Sequence, residues 1–441
     1  MLRKCFLRSN NIVKIIVKMR LLFLFLFMLV SFIGKAQMLP INRTKIMRPI
    51  DPPRKTTCKF SDGIGKTIVV TKYIEGLDYN VYSKRLVNAA SRGDVKAQFA
   101  LWYLYYHGQG VAVDNDIATK YLKMAADNGL APALHQLGIC YLDGIGISTD
   151  NEQAVKCFEQ SASKGNMDAQ TYLAWCYLNG IGVTKNRSEA MRLYKIAADK
   201  GNAVAQCAMG IAYQRGKDLP HNEEASIKYL KLAANQGDGQ ALYELACFHK
   251  DDYEKNSVLL RDRTKEYEYF KKSVENGFTP VLEFLGGCYQ LGIGTDKNDY
   301  KAFECFKKAA DKGYPHSMFE CAMSVKNGTG TEVDTQGAWN YLNKSAANGD
   351  IFAKHFLALA YFEGDGVRQN FDIAFKLFKE AANEDCFFSF MYMGICYEQG
   401  LGTTKDIVKA IMWFEKASLL PLKDQENIIK HLEVLKKQNG G

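Results

Sequence analysis

The sequence predicts an all-α solenoid of about nine 36-residue helix-turn-helix repeats, preceded by a signal peptide and a short linker/β segment. Three observations carry this prediction. A marker glycine returns at a fixed step: Gly93, Gly129, Gly165, Gly201 and Gly237 lie 36 residues apart, an interval of 40 leads to Gly277, Gly313 and Gly349 resume the step, and Asp385 stands where a ninth glycine would fall. Helical periodicity occurs twice within each step, and an Asp or Asn recurs at one offset. Self-similarity at this period signals units that each bury an apolar face against their neighbours.

The first helix of a repeat is read from its stripe. Ala133, Leu137 and Tyr141 fall at i, i+4 and i+8, as do Ala169, Leu173 and Tyr177, and Ala205, Met209 and Tyr213; that spacing places them on one helical face. The helix ends at a glycine pair, Gly144 and Gly146 in the second repeat and Gly180 and Gly182 in the third, because glycine closes a helix in the left-handed conformation at no steric cost. Asp114, Asp150, Asn186, Asn222, Asp262, Asn298, Asp334, Asn370 and Asp406 then mark the start of the second helix. Their short side chains accept bonds from the free N–H groups of a first turn. Small residues such as Ala118, Ala154 and Ala190, and pairs such as Ala125-Ala126, let the helices approach closely.

In chain order, residues 1–36 read as a secretory signal peptide. They hold seven basic and no acidic residues, the apolar run Leu21 to Ile33, and small residues before a cut after Ala36. Thirteen apolar residues fall short of the ~17–25 that span a bilayer, and Met19 is an alternative start. Residues 37–79 form a linker rich in proline at Pro40, Pro49, Pro52 and Pro53, with a β-hairpin expected between Cys58–Phe60 and the β-branched stretch from Thr67. Residues 80–92 match a second helix without its first and serve as an N-terminal cap. The nine repeats occupy 93–420, and residues 421–441 add a Lys-rich capping helix and tail. The fifth repeat is irregular: Lys250-Asp251-Asp252 replaces its glycine pair and its connection is four residues longer.

The combined pattern Ala133-x3-Leu137-Gly138-x2-Tyr141-x2-Gly144-x-Gly146, with Lys195-x-Ala197-Ala198-x2-Gly201, resembles the Sel1-like repeat, a 36-residue relative of the tetratricopeptide repeat. The resemblance covers roughly residues 80 to 420 and implies a right-handed superhelical solenoid. It also implies an adaptor that assembles other proteins, although a solenoid fold does not by itself assign a function.

Nothing in the sequence points to an active site. The seven histidines show no metal-ligand spacing, there is no HExxH or CxxC pair, and no nucleophile or acid–base set stands out; no catalytic residue, cofactor or metal is assigned. Removing the leader takes seven of 57 Lys and Arg and leaves 50 against 48 acidic residues, a net charge near +2 rather than +9. A near-neutral mature chain gives little reason to expect a nucleic acid partner. Membrane contact is expected only through the leader.

Of twelve cysteines, Cys140 faces Cys157 within one repeat and Cys288 faces Cys305 within another, so each pair is a candidate disulfide in an oxidising compartment. Cys176 faces Leu193 and Cys396 faces Trp413, so the position also accepts a lone buried thiol.

The functional expectation rests on first-helix side chains that do not repeat. Positions 3, 6, 10 and 13 after the marker glycine project away from the Ala/Leu/Tyr stripe, and they include Phe99, Tyr103, Tyr106, His135, Trp175, Tyr243, Phe319 and His355, with Tyr172 beside them. In a helical solenoid this face lines the concave surface, and aromatics are favoured binding anchors. The alternative is that they pack between neighbouring first helices. The expectation is thus an exported, non-enzymatic scaffold, periplasmic or secreted from a bacterium, that binds a protein or peptide along its inner face. The alternatives are a cell-wall-active or β-lactam-binding repeat enzyme and a structural envelope component.

Overall fold

A computed structural model of the protein describes residues 58–61, 67–70, 79–250, 262–419 and 425–438. The expected leader, most of the proline-rich linker and the long connection of the fifth repeat lie outside the described residues. Before the helices, strand β1 (Cys58–Ser61) pairs antiparallel with β2 (Thr67–Val70), Cys58 opposite Val70 and Ser61 opposite Thr67. The helix Tyr79–Ser91 follows, and from Val95 the chain alternates first and second helices of about 13 residues to Ser418. The last helix, Gln425–Gln438, buries Ile428, Leu432 and Leu435 and leaves Ile429 exposed.

All nine expected N-caps are formed. Asp114 accepts from the N–H of Ile117 at 2.8 Å, Asn298 from Lys301 at 2.9 Å and Asp406 from Lys409 at 3.0 Å, and the other six do the same. Each such cap contributes about 1 kcal/mol of helix stability. Outside the divided fifth repeat, each first helix packs on the second helix of its own repeat and on the helix that precedes it. The apolar stripe lies in this packing: Ala133 and Leu137 are buried and Tyr141 is half-buried.

Two glycine roles separate in the structure. The first of each pair is the left-handed cap: Gly180 has φ +74° and its N–H bonds the carbonyl of Cys176. The second, which the sequence reading treats as part of the same cap, lies against the preceding repeat. A Cβ on Gly182 would sit 2.0 Å from the carbonyl oxygen of Asn151, the first residue of the previous second helix. In the fourth repeat Asp218 holds that place and ion-pairs at 2.6 Å with Arg187 of the third repeat.

The described helices form two compact groups, one ending at Lys250 and one beginning at Asp262. Each holds four complete repeats. The fifth is divided: its first helix, Gly239–Lys250, belongs to the first group and its second helix, Arg263–Glu275, to the second. Among the described residues eight repeats are thus complete packed pairs.

At the missing ninth marker, Asp385 has φ +60°, the one non-glycine residue at positive φ among those described. A left-handed non-glycine residue costs ~1–2 kcal/mol, so Asp385→Gly is expected to raise stability by roughly 1 kcal/mol, read as a higher denaturant midpoint at unchanged m-value.

Candidate functional site

The first-helix aromatics expected to line an open face are mostly interior. His135, Tyr172, Tyr243 and His355 are at most 3% exposed, Phe319 is fully buried, and Phe99 and Trp175 are each only 9% exposed. The expected binding role is corrected for these seven, and for His135, Tyr172, Phe319 and His355 the reason is the contact between neighbouring first helices. Position 6 of one repeat inserts against positions 3 and 7 of the next: His135 packs on Tyr172 with centroids 5.1 Å apart, Phe319 on Phe352 and Phe356, and His355 on Phe388 and Tyr392. Burying a large aromatic in this seam removes more apolar surface from water than leaving it on a solvated wall.

Tyr103 and Tyr106, at positions 10 and 13 of the first repeat, are the two of the nine that keep accessible surface. They flank the exposed His107, with ring centroids 4.3 Å and 4.9 Å from its imidazole, and Tyr106 also stacks on the buried Trp102 at 5.8 Å. Burial, and then the nearby Cys140 and Asp143, raise the Tyr106 phenol above its ordinary value, so it stays a neutral hydrogen-bonding group at physiological pH. Burial also lowers the His107 imidazole, which favours its neutral form. The result is a neutral aromatic cluster with polar tips, able to cover apolar groups and to exchange hydrogen bonds at its rim.

Other polar groups tie repeats together, and the sequence reading did not single them out. The Nδ2 of Asn202 donates to Asp168 at 2.9 Å, and Thr171 donates to the Oδ1 of Asn202 at 3.2 Å, joining the third and fourth repeats. Gln206 donates to the carbonyl of Ala198 and accepts from Gln236. The signal for the first of these is an Asp or Asn directly after the marker glycine, as at Asp94, Asn166, Asn202, Asp238 and Asp350.

The candidate disulfide partners Cys140, Cys157, Cys288 and Cys305 are all buried, and no bridge joins them among the described residues. Burial pushes the thiols of Cys140, Cys157 and Cys305 up to about 11, so they behave as small apolar side chains rather than nucleophiles.

Two buried groups give direct tests of this interior. Tyr194 is fully buried and its hydroxyl has no hydrogen-bond partner among the described residues. An unsatisfied buried hydroxyl costs ~1–3 kcal/mol, so Tyr194→Phe is expected to raise the melting temperature. His355, with Nδ1 2.9 Å from the Ser389 hydroxyl, has its imidazole pushed down to about 3 by burial. In the unfolded chain it titrates near 6.5, so the unfolded state binds the extra proton and stability falls as pH drops from about 6.5 toward 3. Denaturation at pH 7 and pH 5 is expected to show this loss, and His355→Phe is expected to reduce it.

The Sel1 repeat pattern matches residues 95–130, 131–166, 168–202, 203–238, 282–314, 315–350, 351–386 and 391–421, leaving out the divided fifth repeat. Among solved structures, the chain is similar to a Sel1 repeat protein from Oxalobacter formigenes, with 25% identity over 75% of this chain and 93% of that one and a TM-score of 0.49. It is also similar to a protective antigen of uropathogenic Escherichia coli strains that displays an SLR fold, with 22% identity over 81% of this chain and 90% of that one and a TM-score of 0.46. An immunity protein from Pseudomonas aeruginosa matches over 46% of this chain and 77% of its own, at 20% identity and a TM-score of 0.33. No curated protein matches the chain.

Proposed function

The chain belongs to the Sel1 repeat family, and from that premise we propose that it is an exported, non-enzymatic scaffold that binds a protein or peptide on the first-helix face of its repeats. Sel1 repeats generally mediate protein–protein interaction. The observation that carries the reading is the accessible cluster of Tyr103, Tyr106 and His107 on the first helix of the first repeat. Equivalent aromatics deeper in each stack are consumed by packing, whereas these keep free surface and polar tips, the properties of binding anchors. The rigid packing beneath them limits the entropy lost on docking. The basic, apolar leader supports export, with a mature start at Gln37.

The test is affinity capture from envelope extract with the wild-type protein beside Tyr103→Ala/Tyr106→Ala. A partner held by the wild type and lost by the double variant, at equal helicity, is the expected outcome. Recovery of the same partners by both would move binding away from this cluster. N-terminal sequencing of the protein from fractionated cells checks export; a protein retained inside the cell with its leader intact would overturn that part.

A further inference from the structure

His316 lies on the first helix of the seventh repeat, Pro315–Asn327, with its imidazole enclosed by carboxylates from three successive repeats. Its Nδ1 is 3.1 Å from Oδ2 of Asp350, the N-cap of the next first helix. Its Nε2 is 3.2 Å from Oε1 of Glu320, one turn along its own helix, and 3.7 Å from Oε1 of Glu283 on the preceding first helix. All four side chains are at most 12% exposed, and the imidazole packs on Phe319 and Phe352. Further donors hold two of the carboxylates: the N–H of Ala353 donates to Asp350 at 2.7 Å, and the hydroxyl of Ser317 donates to Glu283 at 3.1 Å.

Where the facing carboxylates are ionised they only accept, and then both ring nitrogens are matched only by the imidazolium, which carries two N–H groups. A neutral ring would turn a lone pair toward a buried carboxylate and leave charge uncompensated. We propose that His316, Glu283, Glu320 and Asp350 form a proton-dependent clamp. It joins the first helices of the sixth, seventh and eighth repeats while the imidazole holds both ring protons, and it loosens when one is lost.

Glu320 also acts on the Cys321 thiol, together with Asp311 and Lys307 of Asp299–Asp311, and Asp350 acts on the Cys386 thiol; Lys354 of Ile351–Glu363 is held by Glu384 at 2.6 Å and by Glu380. The clamp's contribution is present while His316 is charged and is lost as pH rises through its titration in the folded protein. At acid pH, protonation of the carboxylates removes it from the other side. The alkaline loss is opposite in sign to the behaviour of His355, one repeat away.

The test uses the full chain with ¹⁵N-labelled histidine. Two-bond ¹H–¹⁵N correlations are expected to show both ring nitrogens of His316 protonated at neutral pH, its signals identified by their absence in His316→Gln. Asp350→Asn keeps an oxygen for the Ala353 N–H, as Asn166 and Asn202 do at the same position, and removes the charge. It is expected to move the His316 midpoint to lower pH. Amide protection of Leu282–Leu291 and Ile351–Glu363, corrected for intrinsic exchange, is expected to fall as pH rises above that midpoint while that of Ala131–Asp143 does not. A neutral single tautomer of His316 at neutral pH, an unmoved midpoint in Asp350→Asn, or equal loss of protection in all three helices would overturn the clamp.

Discussion

Phe378→Ala is expected to produce the larger of the two greatest losses of stability, about 3–5 kcal/mol, the range for deleting a buried aromatic and leaving a cavity. Phe378 is fully buried on the second helix of the eighth repeat, stacked on Tyr392 at 4.8 Å and in contact with His355 at 5.6 Å and Phe362 at 6.0 Å. It joins its own repeat to the ninth, so its removal also withdraws the ring on which the seam residues His355 and Tyr392 rest. Chemical denaturation is expected to show the loss first in probes within residues 262–419. A variant within 1 kcal/mol of the wild type would mean that the seam closes around the cavity, contrary to the packing of a dense interior.

Gly182→Ala is expected to cost roughly 3 kcal/mol, the sum of a left-handed penalty near 1–2 kcal/mol and an overpacking term of 1–3 kcal/mol. The second term arises because the new Cβ would meet a backbone carbonyl, that of Asn151, which cannot rotate away. Gly180→Ala is the internal control. It has φ +74° but its nearest neighbour, Cβ of Lys185, is 3.3 Å away, so only the smaller backbone penalty is expected. Gly165→Ala, at φ +84° with nothing within 4 Å, should match Gly180→Ala. Equal melting temperatures for Gly182→Ala and Gly180→Ala would show that the second glycine of the pair is a cap and not a contact between repeats.

Much of the fold was legible because its determinants are local. An Asx side chain reaches an N–H two or three residues on, a glycine at positive φ answers to its own backbone, and an i, i+4, i+8 stripe lies on one helix; Asp114, Gly144 and Ala133 each obey rules that a short window contains. The site was less legible. Phe319 and Tyr103 are both aromatic side chains off the repeated stripe, yet one is fully buried and the other keeps accessible surface. The difference lies in Phe352 and Phe356, 33 and 37 residues beyond Phe319, which close over it.

Local chemistry along the chain is therefore enough to establish repeat length, helix boundaries, caps and membership of a two-helix repeat class, since each depends on contacts within a turn or two. Three-dimensional packing alone distinguishes seam from surface and capping glycine from contact glycine. It also gathers His316 with Glu283 and Asp350 from neighbouring repeats. Those outcomes depend on which residues from different repeats meet, and helical periodicity gives each side chain a direction but not the neighbour waiting there.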